Sequence, residues 1–595
     1  MTAAPAAPEA STVTGAWRAA VALLRRHGVS DAFGLPADDL DLLEALDGSG
    51  IRLVLCRDQR NALFMATGYA LQSGRTGIAF TGKGPAVTNT VTGLLEARCS
   101  AAPVVLLSAG TPVEHRGSGA FQELDQLAVV APLVKWAARV DSPQRLVPML
   151  RRALLTAREG VPGPVYLELP DHLLGADIPL PGLDVDAEQD AAEQESAVRP
   201  SRVHLPDGSP ARRLLAAAER PVLLVGGGVR HANRDGALER FAERLGAAVF
   251  ATASGRGAFD ERHPQFCGLS GLYLPEPAGD LWRETDLVVA LGSRLEETAT
   301  YGWPQRIGRE VPVVQVNLDA AEFHTDHAGP KVLADAAALL AGELAEPLPR
   351  PAGNADWVRR TTEIHHRLHE EHAKQLAELG AEPRPRIPEL LAALAEVLPD
   401  DLVLVQENGL QDMWSYKYPL YACGPDGGSV VPSEQTSLGF GAAAAAGVKA
   451  AAPERPVVAL VGDGAFALFD ADLPTLIDHQ LGVLYLVLRN GGYGWLQSQL
   501  DQRPAPLPGY RFTDPAASHL GARALPGLRQ FTLDDRGTLR ADLERAWQLT
   551  REGHPVVLNV PVELTDALFA SAPAGGDFPV LPALDATPDA TEGSE

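Results

Sequence analysis

Two short polar clusters in the last third of the chain carry its strongest chemical signal. Asp463 stands between two glycines in Gly462-Asp463-Gly464, and Asn490 opens Asn490-Gly491-Gly492. A carboxylate, an amide oxygen and a backbone carbonyl are hard oxygen ligands. Mg²⁺ takes a few of these and completes its octahedron with phosphate oxygens and water. The glycines let the backbone approach a phosphate and offer it N–H groups. Either cluster alone is an ordinary turn. The segment between them makes the pair specific.

Val457–Val461 is an apolar run that stops at the first cluster, and Val483–Leu488 stops at the second. Such runs suit buried parallel strands. Between them, residues 470–480 have helical spacing, with Leu473, Leu476 and Ile477 on one face. Pro474 falls in the first turn, where its missing N–H costs little. A strand–helix–strand crossover lays its two parallel strands side by side. Asp463 and Asn490 are therefore predicted to meet at the carboxyl edge of one sheet, where open α/β sheets bind ligands.

This spacing resembles the signature of the thiamine diphosphate (ThDP) enzymes, Gly-Asp-Gly followed some residues later by two asparagines, where this chain has Arg489-Asn490. The resemblance implies Mg²⁺ held by Asp463, Asn490 and the Gly492 carbonyl. It also implies cofactor contacts from Gly464, Ala465, Tyr493, Gly494 and Trp495. Earlier segments are similar to the acetolactate synthase-like branch of that family. Gly34-Leu35-Pro36-Ala37 stands where that branch has a Gly-x-Pro-Gly turn, and Lys83-Gly84-Pro85-Ala86-Val87-Thr88-Asn89 where it has a Ser-Gly-Pro-Gly-x-x-Asn loop, with both turn glycines replaced by alanine. Phe121-Gln122 matches the Phe-Gln pair of the carboligases. Residues 407–414 resemble Gly-Gln-His-Gln-Met-Trp, and Leu438 fits the bulky residue that props ThDP into a V shape. Pro36, Gly84, Asn89, Leu410, Gln411 and Thr436 are the implied remaining cofactor contacts.

Aligning Met65-Ala66-Thr67-Gly68-Tyr69-Ala70 with the family's Met-Ala-x-Gly-Tyr-Ala puts Gln59 where the family has a glutamate. That glutamate hydrogen-bonds N1′ of the aminopyrimidine. An amide can make one hydrogen bond there but has no proton to relay near neutral pH. Gln59, Phe121 and Gln122 are the candidate catalytic residues. The implied activity is a carboligase that decarboxylates a 2-oxo acid and passes the acyl unit to an acceptor. The alternatives are a 2-oxo acid decarboxylase or lyase and a non-catalytic ThDP-binding paralogue.

The elements that must position these residues follow from the chain as a whole. Strands and helices alternate, which predicts an α/β class with three doubly wound parallel-sheet domains. Their expected bounds are 12–175, 206–345 and 386–570, with 1–11, 176–205, 346–385 and 571–595 as tails or linkers. The family resemblance makes them pyrimidine-binding, middle and diphosphate-binding domains. The middle one carries Gly226-Gly227-Gly228, weak evidence for a nucleotide, so FAD is possible but not favoured. In this family the cofactor lies between the first domain of one chain and the last of its partner, which implies a homodimer or homotetramer.

Composition bounds the rest. Of 595 residues, 46% are hydrophobic and 21% charged, as in globular proteins. A net charge of −25 argues against a nucleic-acid surface. No apolar run reaches membrane-spanning length, and the N-terminal residues lack a secretory pattern. The four cysteines (Cys56, Cys99, Cys267 and Cys423) show no ligand spacing, which suits free thiols in a reducing cytoplasm.

Overall fold

The computed structural model describes residues 11–36, 40–180, 202–233, 235–308, 310–345, 351, 353–379, 383–424, 426–501, 509–512 and 525–562. The expected tails at 1–10 and 571–595, most of the acidic stretch 176–205 and the turn residues 37–39 lie outside the described residues.

Three six-stranded parallel sheets follow one another along the chain. The first uses β2 (Asp31–Leu35), β3 (Arg52–Leu55), β4 (Gly77–Thr81), β5 (Val104–Gly110), β6 (Trp136–Arg139) and β7 (Val165–Pro170). Beside it, β1 (Ser11–Thr14) pairs antiparallel with β8 (Asp177–Leu180). The middle sheet uses β9 (Pro221–Val225), β10 (Ala248–Ala251), β11 (Phe266–Leu269), β12 (Leu287–Leu291), β13 (Val313–Asn317) and β14 (Lys331–Leu333). The last uses β15 (Val403–Gln406), β16 (Gly428–Val430), β17 (Val457–Gly462), β18 (Leu484–Arg489), β19 (Arg529–Thr532) and β20 (Val556–Pro561).

Strand order separates the three units. The first sheet runs β3-β2-β4-β5-β7-β6 and the last runs β16-β15-β17-β18-β20-β19, the same order when each is counted from its own first strand. The middle sheet runs β11-β10-β9-β12-β13-β14, the order of dinucleotide-binding folds. In every sheet the order reverses between two neighbours: β2 and β4, β9 and β12, β15 and β17. Ligands bind at the carboxyl ends of such strands. Pro36, Gly84, Gly226–Gly228, Gly292, residues 407–411 and Asp463 all follow these strands.

The outer units dock through two helices, Gln59–Ser73 and Phe440–Ala451. Asp58 caps the first by accepting from the N–H groups of Arg60 and Asn61, and Gly74 ends it at φ 69°. The second is built almost wholly of Ala and Gly because the backbones touch. A Cβ on Gly68 would stand 2.3 Å from the Ala444 carbonyl oxygen, and one on Gly447 would stand 1.8 Å from that of Met65.

Two expected features differ in the structure. Residues 470–480 form a 3-10 turn, Asp470–Asp472, and then a shorter helix, Leu473–Asp478. The buried Asp472 carboxylate is held there by Asn61 Nδ2 (2.7 Å) and the Arg57 N–H (2.6 Å) of the first unit. The stretch 346–385, expected as a linker with a polar helix around Trp357–Leu379, holds that helix as Asn354–Glu378, but it packs on the middle unit. Trp357, Ile364 and Leu368 bury against the middle core, and Trp357 Nε1 donates to the Pro221 carbonyl at 3.0 Å. No described helix is long and apolar enough to cross a membrane.

Candidate active site

In the last unit β17 and β18 pair in parallel with Gly462 opposite Leu488, so their carboxyl ends coincide. Asp463 begins a helical turn, Asp463–Phe466, and is 3% exposed. Its Oδ2 accepts from the Gly491 N–H at 3.0 Å, while its Oδ1 is buried with no hydrogen-bond partner. Burial raises the carboxyl above its ordinary range, against the pull of the Gly491 and Gly464 N–H groups. Asn490 Oδ1 accepts from the Gly492 N–H at 3.2 Å.

A single antiparallel bridge between Gly492 and Arg511 steadies this corner. The Phe512 N–H donates to the Gly491 carbonyl at 2.8 Å, and the Tyr493 N–H to the Tyr510 carbonyl at 3.0 Å. Neither bond uses the Gly492 carbonyl. Gly464 must be glycine here, because a Cβ would meet the Tyr493 ring at 2.6 Å. Tyr493 also packs edge-on against Phe512. Gly494 and Trp495 open the helix Gly494–Asp501 that follows.

The donor set suits a hard divalent cation. An orphaned buried carboxylate oxygen costs about 1–3 kcal/mol when nothing meets it, and a metal meets that need. Among the described residues no group of three or more His, Cys, Asp or Glu side chains is placed to hold a metal ion. A cation at this edge would thus rely on Asp463 together with neutral oxygens.

A second strand end joins the same edge. Glu407, just past β15, is fully buried and accepts from the N–H groups of Gly439 (3.1 Å), Gly441 (2.9 Å) and Ala442 (3.4 Å). These donors open the helix Phe440–Ala451, where a carboxylate is favoured. Burial nevertheless pushes its pKa up to about 8. Gln411 Nε2 donates to the Glu407 and Asn408 carbonyls, and a Cβ on Gly462 would sit 3.5 Å from Gln411 Oε1. Leu410 and Gln411 are buried, Leu438 is half-buried, and Thr436 is exposed at φ 45°. Gln411 thus stands beside Gly462, and a Cβ on Gly439, the residue after Leu438, would sit 3.8 Å from the Ala465 carbonyl oxygen.

In the first unit, Gln59 begins its helix and its Oε1 accepts from Asn89 Nδ2 at 3.0 Å. Asp58 is committed to capping that helix. Gly84 sits at φ 60°, and a Cβ there would stand 2.6 Å from the Gln122 carbonyl oxygen. Gln122 itself has φ 57°, and Phe121 is 73% exposed. Pro36 ends at the same edge, just past β2. One segment, 84–89, with a helical turn at Pro85–Thr88, thus touches Gln122 at its start and Gln59 at its end.

Three supporting residues escaped the sequence reading. Gln126 accepts from the Gly84 N–H at 2.7 Å and donates to the Ala109 carbonyl and the Tyr166 hydroxyl. Glu96, wholly buried, accepts from the N–H groups of Ser433 (2.6 Å) and Ser437 (3.4 Å), so the first unit steadies the loop that carries Leu438. Glu407 is the third: it opens the motif-like stretch 407–414, but nothing in the sequence beyond a charge closing an apolar strand marks its role. No hydrogen bond among the described residues joins the Gln59 group to the Asp463 group.

A cavity of about 1440 Å³ opens between the units. Its floor is the switch point of the middle sheet, where Gly228 and Gly292 pack backbone to backbone. Arg230 and Arg294 line this end, and Asn408, Asp412, Glu434 and Thr436 line the other.

Comparison with known proteins agrees with this architecture. Residues 16–129, 209–342 and 407–560 match the thiamine pyrophosphate enzyme models for the N-terminal TPP binding domain, the central domain and the C-terminal TPP binding domain. The large subunit of acetolactate synthase isozyme 2 from Escherichia coli K12 is 30% identical over 80% of this chain and 82% of its own. A probable 2-ketoarginine decarboxylase of Pseudomonas aeruginosa is 31% identical over 82% and 83%. Human 2-hydroxyacyl-CoA lyase 2 is 28% identical over 92% and 89%. With sheets, strand ends and sequence in agreement, the chain belongs to the thiamine diphosphate-dependent enzymes, in the branch of the acetolactate synthase large subunits.

Proposed function

We propose that the protein is a Mg²⁺- and ThDP-dependent carboligase that decarboxylates a 2-oxo acid and transfers the acyl unit to an acceptor carbonyl. One observation carries this reading: the loop 84–89 contacts both Gln122, of the carboligase-type Phe-Gln pair, and Gln59. Asp463 Oδ1, Asn490 Oδ1 and the Gly492 carbonyl would hold the metal. Gly464, Ala465, Tyr493, Gly494 and Trp495 would surround the diphosphate. Leu410, Gln411, Thr436 and Leu438 would pack the thiazolium side, and Pro36, Gly84 and Asn89 the pyrimidine side. When bound, ThDP supplies the electron sink that accepts the carbanion left by departing CO₂.

Gln59 offers an amide N–H to a ring nitrogen while Asn89 holds its oxygen. Gln122 donates or accepts at the reacting carbonyl. Phe121, exposed on one chain, closes the site against water once a second chain covers it. The Gln59 and Asp463 groups lie on separate units, so the working assembly is a homodimer or a pair of homodimers. The four cysteines are free, which suits a reducing cytoplasm. The cavity of the middle unit leaves room for FAD, though the reaction as proposed requires none.

Incubation with pyruvate, an aldehyde, ThDP and Mg²⁺ tests the reading by its products. A 2-hydroxyketone supports it. Free acetaldehyde alone means a decarboxylase, as the 31% identical relative is named. ThDP binding with no product at all means a non-catalytic paralogue. Gln122→Ala should lower turnover by about 10²-fold or more, the scale of one positioned proton-handling group, while ThDP affinity holds.

A further inference from the structure

Leu438 is half-buried, and the peptide groups on both sides of it are held by buried carboxylates. The Ser437 N–H donates to Glu96 Oε2 at 3.4 Å, and the Gly439 N–H to Glu407 Oε1 at 3.1 Å. Glu96 and Glu407 are each 0% exposed. They come from different units. Glu407 follows β15 of the last sheet, whereas Glu96 stands on the helix Val91–Cys99 of the first unit, 341 residues before Ser437. Gly439 in turn lies against the Ala465 carbonyl, in the turn that carries Asp463.

The arm from the first unit is stiff. Glu96 Oε1 accepts from the Ser433 N–H at 2.6 Å and from the Ser100 hydroxyl at 3.0 Å. One carboxylate thus spans two N–H groups of the loop and is steadied from its own helix. That helix presses on the helix Gln59–Ser73, where a Cβ on Gly93 would stand 2.3 Å from Leu63 Cβ. Ahead of it, Thr90 Oγ1 donates to the Val87 carbonyl at 2.7 Å, directly after Asn89, the partner of Gln59. The loop 433–438 has only a turn of its own, the Thr436 N–H donating to the Ser433 carbonyl at 2.8 Å. A carboxylate suits this task because both its oxygens accept. An amide at the same place accepts at one oxygen and turns N–H against N–H at the other.

We propose that Glu96 is a positioning residue for the reaction: it acts through Leu438, whose depth in the site it sets from the first unit. That Leu438 meets the cofactor rests on the ThDP-dependent carboligase reading. Without the Glu96 arm the Ser433 and Ser437 N–H groups lose their acceptor and Leu438 can withdraw, while Asp463 and Gln122 keep their own supports. The loss falls on cofactor fit and turnover, not on capture of the 2-oxo acid.

The first test needs neither cofactor nor turnover. Hydrogen exchange of the segment 433–439 is followed in the cofactor-free, full-length protein. Glu96→Gln should speed exchange there at least about tenfold, the lower end for one hydrogen bond to a charged group. Exchange around Asp463 should not change. Glu96→Asp is one methylene too short to reach both N–H groups; it should do the same and serves if Glu96→Gln does not fold. Unchanged exchange in both variants overturns the proposal.

A double-mutant cycle on ThDP affinity then separates positioning from general stability. Fluorescence titration should show binding weakened about tenfold in Glu96→Gln and in Leu438→Ala, and hardly further in the double variant. Losses that add mean that Glu96 acts elsewhere, and they overturn the proposal. In turnover, kcat of Glu96→Gln should fall about tenfold while KM for the 2-oxo acid holds; a risen KM with kcat unchanged also overturns it. If exchange and the cycle behave as expected but no 2-oxo acid is consumed, the carboligase reading fails and the positioning role stands. If 2-oxo acids are consumed and the losses add, the positioning role alone fails.

Discussion

Asn89 Nδ2 donates to Gln59 Oε1 at 3.0 Å, which fixes the glutamine amide at the start of its helix. The bond occupies the oxygen and leaves the Nε2 hydrogens to face a ligand. A glutamate in the same place would accept the same bond and carry a movable proton. Gln59→Glu should therefore speed exchange of the C2 proton of bound ThDP by about 10²–10⁴-fold, the usual contribution of a positioned acid–base group. NMR-monitored H/D exchange measures it. Equal rates in both proteins would mean that Gln59 does not face the pyrimidine.

Asp463 Oδ1 is buried with no partner, so the side chain is poorly satisfied until a cation arrives. Asp463→Ala should weaken Mg²⁺-dependent ThDP binding by more than about a hundredfold, roughly the upper range for one charged hydrogen-bonding group. Without metal, the Asp463→Ala variant should melt no earlier than the parent. Fluorescence titration and a melting curve report the two outcomes, and undiminished ThDP affinity contradicts the metal assignment.

The contact between the outer units leaves no space for even one methyl group. Gly447→Ala would set a Cβ 1.8 Å from the Met65 carbonyl oxygen, a backbone atom that cannot swing aside. Overpacking of this kind costs about 1–3 kcal/mol. Urea denaturation of Gly447→Ala and Gly68→Ala should show that loss, and unchanged midpoints would mean that the helices are not in contact.

Glu407 ties stability to pH. The unfolded side chain titrates near 4.5, whereas burial holds the folded one near 8. Between those values the folded form keeps a proton that the unfolded chain has released. Stability should thus decline as pH rises from about 4.5 to about 8. Glu407→Gln removes this dependence. Denaturation midpoints of both proteins at the two ends of the window check the sign, and parallel curves would refute it.

Phe121 is 73% exposed at the candidate site, and the two groups of site residues share no hydrogen bond among the described residues. Light scattering should find dimers or tetramers. Dilution below the dimer dissociation constant should abolish turnover. A monomer that still turns over substrate would rule out a site built from two chains.

The local chain determined much of this protein. The runs ending at Asp463 and Asn490 are apolar throughout because both faces of a parallel strand are buried, and a crossover between them has one favoured hand. That was enough to bring the two residues to one edge. What lay between was less legible, since Asp472 is held by Asn61 from 411 residues away and shortens the helix. The helix Asn354–Glu378 is legible in the sequence as a polar helix, but the unit it packs on is not, because its apolar stripe is narrow. Only the middle sheet against which Trp357 packs shows what that stripe covers. Glycine spacing could not reveal that Gly68 and Gly447 press on opposite backbones. Nor could the chain alone show that Glu407 meets the N–H groups of Gly439, Gly441 and Ala442, or that one oxygen of Asp412 is buried without a hydrogen-bond partner. Burial and long-range partners set the protonation and reach of these carboxylates, and both arise only when distant segments pack together.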